Sequence, residues 1–256
     1  MKKKIIYFLI LIILSLVLYL NLKSIRYTGV NYSISGEEIT NFKKIKDFYQ
    51  RHNNYKKLVE KISKNSIEED KILKISKWVY LNIKKPKKSE DIVDSHPWTI
   101  VERKIGNKDQ FSDILSVLFV YENIDSFFIF VDKKDKHPLT YFKFKKKWSV
   151  IDPYYGIYFL NSNNEFCNLK EHKLKKCLIF HLKYKKNIKD KIKTIFYDKN
   201  LNSIDDIKNY YEELMENSPS FKDIEEENIY LRGGRSYIQK PFHRLFYQIQ
   251  KIFKII

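Results

Sequence analysis

Phe111, Ile114, Leu115, Leu118 and Phe119 recur at helical spacing within 109–122, densely enough to mark a helix buried over most of its circumference. Three short runs rich in aromatic and β-branched residues follow, at 126–131, 139–144 and 148–151, with Lys145, Lys146 and Lys147 reversing the chain between the last two. A buried helix and a half-apolar sheet each need a partner layer, and consecutive elements usually supply it to one another. The order therefore predicts an α+β fold in which a central helix packs on an antiparallel sheet. At 256 residues, 43% hydrophobic and 16% aromatic, the chain can fill one good core and carry helical additions.

Around that centre the signals are more local. Residues 37–62 read as helical. Ser66 and Glu69 have the spacing of a capping box ahead of a helix that places Ile72, Ile75, Val79 and Ile83 on one face and stops at Lys85-Pro86. A loop at 89–95 leads to a short helix or turn opening at Pro97-Trp98. Beyond the predicted sheet come a strand at 178–183, a helix at 204–216 and a loop at Arg232-Gly233-Gly234-Arg235. No internal repeat is visible.

The amino terminus constrains location. Met1-Lys2-Lys3-Lys4 precedes an apolar run over 5–22, broken only by Ser15 and Asn21. As a helix it measures about 27 Å at a rise of about 1.5 Å per residue, close to the roughly 30 Å hydrocarbon core of a bilayer. The run is long for a signal peptide and no small-x-small cleavage site follows in 21–27, so an uncleaved anchor is expected over a cleaved signal. No cysteine follows it, which excludes a lipoprotein signal. The lysines before the run slightly outnumber Lys23 and Arg26 after it, favouring a cytoplasmic amino terminus and a main domain outside, in a bacterial cell membrane. Residues 241–256 place Phe242, Leu245, Phe246, Ile249, Ile252, Phe253 and Ile256 on one face, an amphipathic helix that either docks on the domain or lies on an anionic membrane surface.

The formal charge of +18, from 49 Lys+Arg against 31 Asp+Glu, raises the question of nucleic acid. Basic residues lie in short runs at 84–88, 133–136, 143–147 and 183–186, and arginine, the preferred reader of base edges, is scarce. Nucleic acid is therefore not expected; the lysines form a solvated face or serve an anionic lipid, glycan or other polyanion. Cys167 and Cys177 either close a short loop as a disulfide or remain two semi-buried thiols. The six histidines lack a ligand spacing, so neither zinc nor any other cofactor is expected.

Candidate chemistry gathers at the start of the central helix. Gly106-Asn107-Lys108-Asp109-Gln110 opens it, His137 precedes the second strand, and Trp148-Ser149-Val150-Ile151-Asp152-Pro153-Tyr154-Tyr155-Gly156 contains the third. With the reversal at Lys145–Lys147, His137 and Asp152 fall on neighbouring strands at one end of the sheet, where a hydrogen bond between them is plausible and Trp148 would pack beneath. Taken singly, His137 is an ordinary loop residue, Asp152-Pro153 a strand-ending turn, and Gln110 a cap, a cleft-lining group or a solvated side chain.

Residues 67–159 together resemble the transglutaminase-like superfamily, a papain-like thiol-enzyme core. That family has a Gly-x-Cys helix start, a histidine opening a strand and a Gly/Lys-Trp-x-x-x-Asp-Pro strand end. The resemblance is greatest to its bacterial branch, with Cys-Asp-Gln where this chain has Lys108-Asp109-Gln110 and Asp-Pro-Tyr-Tyr-Gly where it has 152–156. It implies thiol attack on an amide, peptide or other acyl carbon, with His137 as base, Asp152 as its orienting carboxylate, and Asp109, Gln110 and Trp148 lining the cleft. Lys108 stands in the nucleophile's place. An amine there cannot form a thioester, and it faces the positive end of the helix dipole at a cost of about 0.3–1 kcal/mol. The leading expectation is a membrane-anchored pseudoenzyme that binds a polypeptide or cell-envelope component. The rivals are an amide or peptide hydrolase or acyltransferase with an unconventional nucleophile, a polyanion-binding membrane protein, and a fold in which His137 and Asp152 are merely structural. The expected organisation is a basic tip at 1–4, an anchor at 5–22, a membrane-proximal helical segment at 23–66, the core at 67–160, a mixed extension at 161–240 and the amphipathic helix at 241–256.

Overall fold

The computed structural model describes residues 2–30, 33–87, 96–131, 137–173 and 175–218. The expected amphipathic helix at 241–256, the Arg232–Arg235 loop, the loop at 89–95 and the lysine run at 133–136 lie outside them.

An apolar helix, α1 (Lys2–Asn21), begins the chain. Its stretch Lys3–Asn21 is long and apolar enough to cross a membrane and is not buried in the protein; a signal sequence has the same properties. The Ser15 hydroxyl donates to the Leu11 carbonyl at 2.8 Å, so its one interior polar group is satisfied within the helix. The segment after it departs from the expected helical approach. β1 (Lys23–Val30) and β2 (Ser33–Thr40) pair as an antiparallel hairpin, Lys23 opposite Thr40, and only then does α2 (Asn41–Ser63) start. The switch occurs at Thr40, whose Oγ1 accepts from the Lys43 amide at 3.1 Å and caps α2.

α3 (Glu68–Asn82) buries Ile72, Ile75 and Val79 as its periodicity requires, and Ile83 is buried just past its end. The Ser66 capping box does not form. Ile67 is the N-cap, and the Ser66 hydroxyl instead takes the Lys74 ammonium at 2.6 Å. α4 (Pro97–Arg103) starts with proline at the position where a missing N–H costs nothing. The central helix α5 (Lys108–Tyr121) follows, nearly all of its second to fourth turns buried.

A five-stranded antiparallel meander comes next, in the order β3 (Ser126–Phe130), β4 (Pro138–Phe144), β5 (Lys147–Asp152), β6 (Ile157–Leu160) and β7 (Leu178–His181). The β4–β5 reversal is tight: Lys145 and Lys146 both take positive φ, 47° and 64°, the conformation that a two-residue hairpin loop demands. Helices α6 (Leu169–Lys173), α7 (Ile192–Ile195) and α8 (Ile204–Glu216) complete the described residues, with one 3₁₀ turn at Lys189–Lys191. α8 is started by Ser203, whose Oγ accepts from the Asp206 amide at 3.0 Å.

Both faces of β4 are covered, which explains its near-continuous burial. On one side Phe142 meets Phe119 of α5 at 5.5 Å, and Thr140 Oγ1 donates to the Ser112 carbonyl at 3.3 Å. On the other, the Tyr141 hydroxyl donates to Ser218 Oγ at 2.6 Å, just past the end of α8. The sheet is thus a middle layer between α5 and α8. Cys167 and Cys177 form a disulfide that ties the chain ahead of α6 to the start of β7.

Candidate functional site

The start of α5 and the segment before it are held by four hydrogen bonds. Gln110 is buried; its Oε1 accepts from the Asn107 amide at 3.0 Å and from Arg103 Nη2 at 3.0 Å. It is therefore a helix cap, one of the three roles the sequence left open for it, in place of the cleft-lining role that the resemblance implies. The Lys84 backbone brackets the segment just before, with Lys84 N–H donating to the Lys104 carbonyl at 2.8 Å and Gly106 N–H donating to the Lys84 carbonyl at 3.1 Å. Gly106 sits in a tight place. A Cβ there would meet Ile100 Cγ2 at 3.1 Å and Ile83 Cγ2 at 3.3 Å.

Lys108 and Ser112 share a helical face, and Ser112 Oγ reaches the Pro138 carbonyl, so that face turns toward the start of β4. His137 is the residue just before β4, and Asp152 is the last residue of β5. Both side chains are fully buried, and His137 Nε2 lies 2.8 Å from Asp152 Oδ2. The bond expected between neighbouring strands is present. The rest of the carboxylate is also satisfied: Oδ1 accepts the Tyr154 and Tyr155 amides, each at 3.0 Å, and Oδ2 accepts the Tyr211 hydroxyl at 2.7 Å. Burial pushes the Asp152 carboxyl up, but His137 and the hydrogen bonds from Tyr211 and Tyr155 outweigh it and hold the group below the usual aspartate range.

The imidazole is enclosed. Tyr155 stacks on it at 5.4 Å with planes 10° apart, and Tyr210 approaches edge-on at 5.8 Å. Nδ1 is buried with no hydrogen-bond partner among the described residues. This is the nitrogen that would face a nucleophile if Nε2 is oriented by the carboxylate.

Lys108 is the first residue of α5, at the place the resemblance assigns to the nucleophile. Its ammonium pairs with Asp198 Oδ2 at 2.7 Å, and both side chains are about a quarter exposed. The other oxygen of Asp198 accepts the Tyr155 hydroxyl at 2.7 Å. Desolvation raises the Asp198 carboxyl and the hydrogen bonds from Lys108 and Tyr155 lower it, with a net fall. A continuous chain of contacts therefore runs from Lys108 through Asp198 and Tyr155 to His137, then Asp152 and Tyr211. The structure brings Lys108, His137 and Asp152 to one cluster, with Asp198 and Tyr155 as the link between the amine and the imidazole. Asp198 and the adjacent Asp109 also compensate the ammonium against the helix dipole.

A second amine stands nearby. Lys85 is mostly buried, with its ammonium 4.3 Å from the Tyr154 ring centre, 5.0 Å from Tyr155 and 4.9 Å from Tyr197, and it donates to the Ile195 carbonyl at 3.3 Å. Burial, with a smaller push from Lys108, brings it down to about 8 against the pull of Asp152 and Asp198. The surface next to this cluster is an open concavity of about 520 Å³ lined by Asn107, Lys108, Asp109, Phe130 and Tyr154.

Trp148 does not belong to the cluster. It is buried at the opposite end of β5 from Asp152, paired in register with Lys143 and set edge-on to Phe127 at 5.0 Å. It is a core residue. Four contributors were missed from the sequence: Lys85, Asp198, Tyr210 and Tyr211. Only Tyr211 left a trace, since Ile207, Tyr211, Leu214 and Met215 share the buried face of α8.

No family model matches the chain, and no curated protein matches it. Among solved structures it is similar to the crystal structure of a TGase, at 15% identity and a TM-score of 0.33; the match covers 51% of this chain and 43% of that one, so the chain spans less than half of that structure's length.

Proposed function

We propose that this is a membrane-tethered, transglutaminase-like protein, amino terminus cytoplasmic and main domain outside, that has lost thiol catalysis and binds a polypeptide or cell-envelope component. The observation that carries the reading is the ion pair of Lys108 with Asp198, which occupies the head of α5 with a neutralised amine. The complete enclosure of His137 points the same way, because a base without exposure cannot meet a substrate atom in this state. Beside it, the concavity presents the half-exposed Phe130 ring, the Lys108 amine, the Asp109 carboxylate and the Tyr154 phenol, a mixture suited to an extended peptide.

The partnerless Nδ1 of His137 supports a second reading, a hydrolase in which this nitrogen activates water after Tyr155 moves. The two readings separate in one assay. The full-length protein in detergent is tested for ammonia release from glutamine peptides and for peptide hydrolysis, beside His137→Ala and Asp152→Asn variants whose folding is checked by circular dichroism. All three are expected at the background rate. Wild-type turnover that disappears in both variants would establish the hydrolase.

A further inference from the structure

Around α6 and the start of β7, ligand atoms of Cys167, His172 and Cys177 lie within 4.8 Å of one another. The spacing is regular, four residues between each neighbouring pair, and the fold uses it. Asn168 Oδ1 accepts the Lys170 and Glu171 amides at 3.0 and 3.1 Å to start α6, and the Lys175 amide returns to the His172 carbonyl at 2.8 Å to end it. His172 is thereby turned inward between the two half-cystines. Its ring meets the Phe159 edge at 4.6 Å, and its Nε2 is buried with no hydrogen-bond partner among the described residues. A buried, unpaired imidazole nitrogen loses its hydration without compensation, which leaves it open to a ligand.

Next to it is a cavity of about 20 Å³, lined by Phe159, His172, Cys177, Tyr211 and Glu212 among others. That is room for about one water-sized body. We propose that reduction of the Cys167–Cys177 disulfide turns this cluster into a Cys₂His site for a soft divalent cation, zinc by ligand type. A tetrahedral zinc with thiolates at about 2.3 Å and imidazole at about 2.0 Å sets its ligand atoms roughly 3.5–3.8 Å apart, so after S–S cleavage the two sulfurs would have to part by roughly 1.7 Å. The fourth position faces the cavity, where Glu212 is the nearby carboxylate, held by Lys175 at 2.9 Å.

The chemistry balances. A dithiol reductant delivers two electrons and two protons to the disulfide and is itself oxidised to a disulfide. Each cysteine thiol then loses its proton to solvent as its sulfur binds the cation. The site is linked to the candidate cluster through Tyr211, which lines this cavity and whose hydroxyl holds Asp152. Occupancy there therefore bears on the residue that supports the His137–Asp152 pair.

The test uses the full-length protein in detergent, reduced with a phosphine that is then removed, and titrated with Co²⁺ under exclusion of oxygen. One equivalent is expected to bind with the visible bands of tetrahedral cobalt and with thiolate charge transfer, and to be displaced by Zn²⁺. The oxidised protein should show neither band, and His172→Ala should bind at least about tenfold more weakly. If reduction alone unfolds the extension, restoration of its circular dichroism by the metal is the supporting result, and failure of the metal to restore it counts against the site. Equal binding by the oxidised chain, or full affinity in His172→Ala, would overturn the proposal.

Discussion

Asp152→Ala is expected to lower the unfolding free energy by about 3 kcal/mol or more, because several buried donors lose their acceptor at about 1–3 kcal/mol each. Four donors converge on that carboxylate: His137 Nε2, the Tyr211 hydroxyl and the amides of Tyr154 and Tyr155. All four lie in buried surroundings, so truncation strands each of them away from water. Denaturant unfolding of the full-length protein in detergent measures the loss. Asp152→Asn should fall between, since one end of an amide can still accept but its NH₂ must face a pair of donors. The pH dependence has a definite sign. The native carboxyl lies below its unfolded value of about 3.9, so the stabilisation is fully present above that pH and is lost as pH falls through the folded value. The gap between wild type and Asp152→Ala should therefore close only under strongly acidic conditions. A gap below about 1 kcal/mol at neutral pH would mean that the carboxylate is not buried among these donors.

Gly156→Ala is expected to cost about 2–5 kcal/mol, from two sources. Gly156 has φ +71°, a conformation that costs an L-residue about 1–2 kcal/mol. A methyl there would also lie 2.8 Å from Tyr80 Cδ2 and Cε2 and 3.2 Å from His181 Nε2, and overpacking of this kind costs about 1–3 kcal/mol. The Tyr80 ring has little freedom to yield, because it stands edge-on to His181 at 5.0 Å and their hydroxyl and Nε2 are 3.2 Å apart. The contributions separate in a double-mutant cycle: adding Tyr80→Ala should remove the steric part and leave the backbone part. Strict additivity of the two substitutions would show that the turn after Asp152 does not rest on α3.

The central helix and three of the strands were legible because their patterns are dense and their connection is short. A two-residue reversal at Lys145 and Lys146 leaves one register, and that register alone puts His137 and Asp152 at the same end of the sheet. The hairpin at the membrane-proximal end was not legible, since the apparent helix at 37–62 runs across Thr40 and only strand pairing with 23–30 stops it there. β6 escaped because its four residues are all buried and carry no alternation. In the candidate site, the motif-borne residues were found and their partners were not. Tyr211 reaches Asp152 across 59 positions and Asp198 reaches Tyr155 across 43, distances over which local pattern carries no information. Trp148 and Gln110 were assigned to the cleft by resemblance. Strand direction places the first in the core, and the demands of a helix start make the second a cap.

The head of α5 carries an amine, linked to the His137–Asp152 pair through Asp198 and Tyr155, where the resemblance places a thiol. Lys108→Cys measures this directly, because the two native cysteines are joined and the new thiol is the one that alkylates. The pH profile of its reaction with iodoacetamide should have a midpoint well below the free-thiol value of about 8.5, and adding His137→Ala should move that midpoint upward. A midpoint near 8.5 that His137→Ala leaves unchanged would show that the head of α5 and His137 do not form one site.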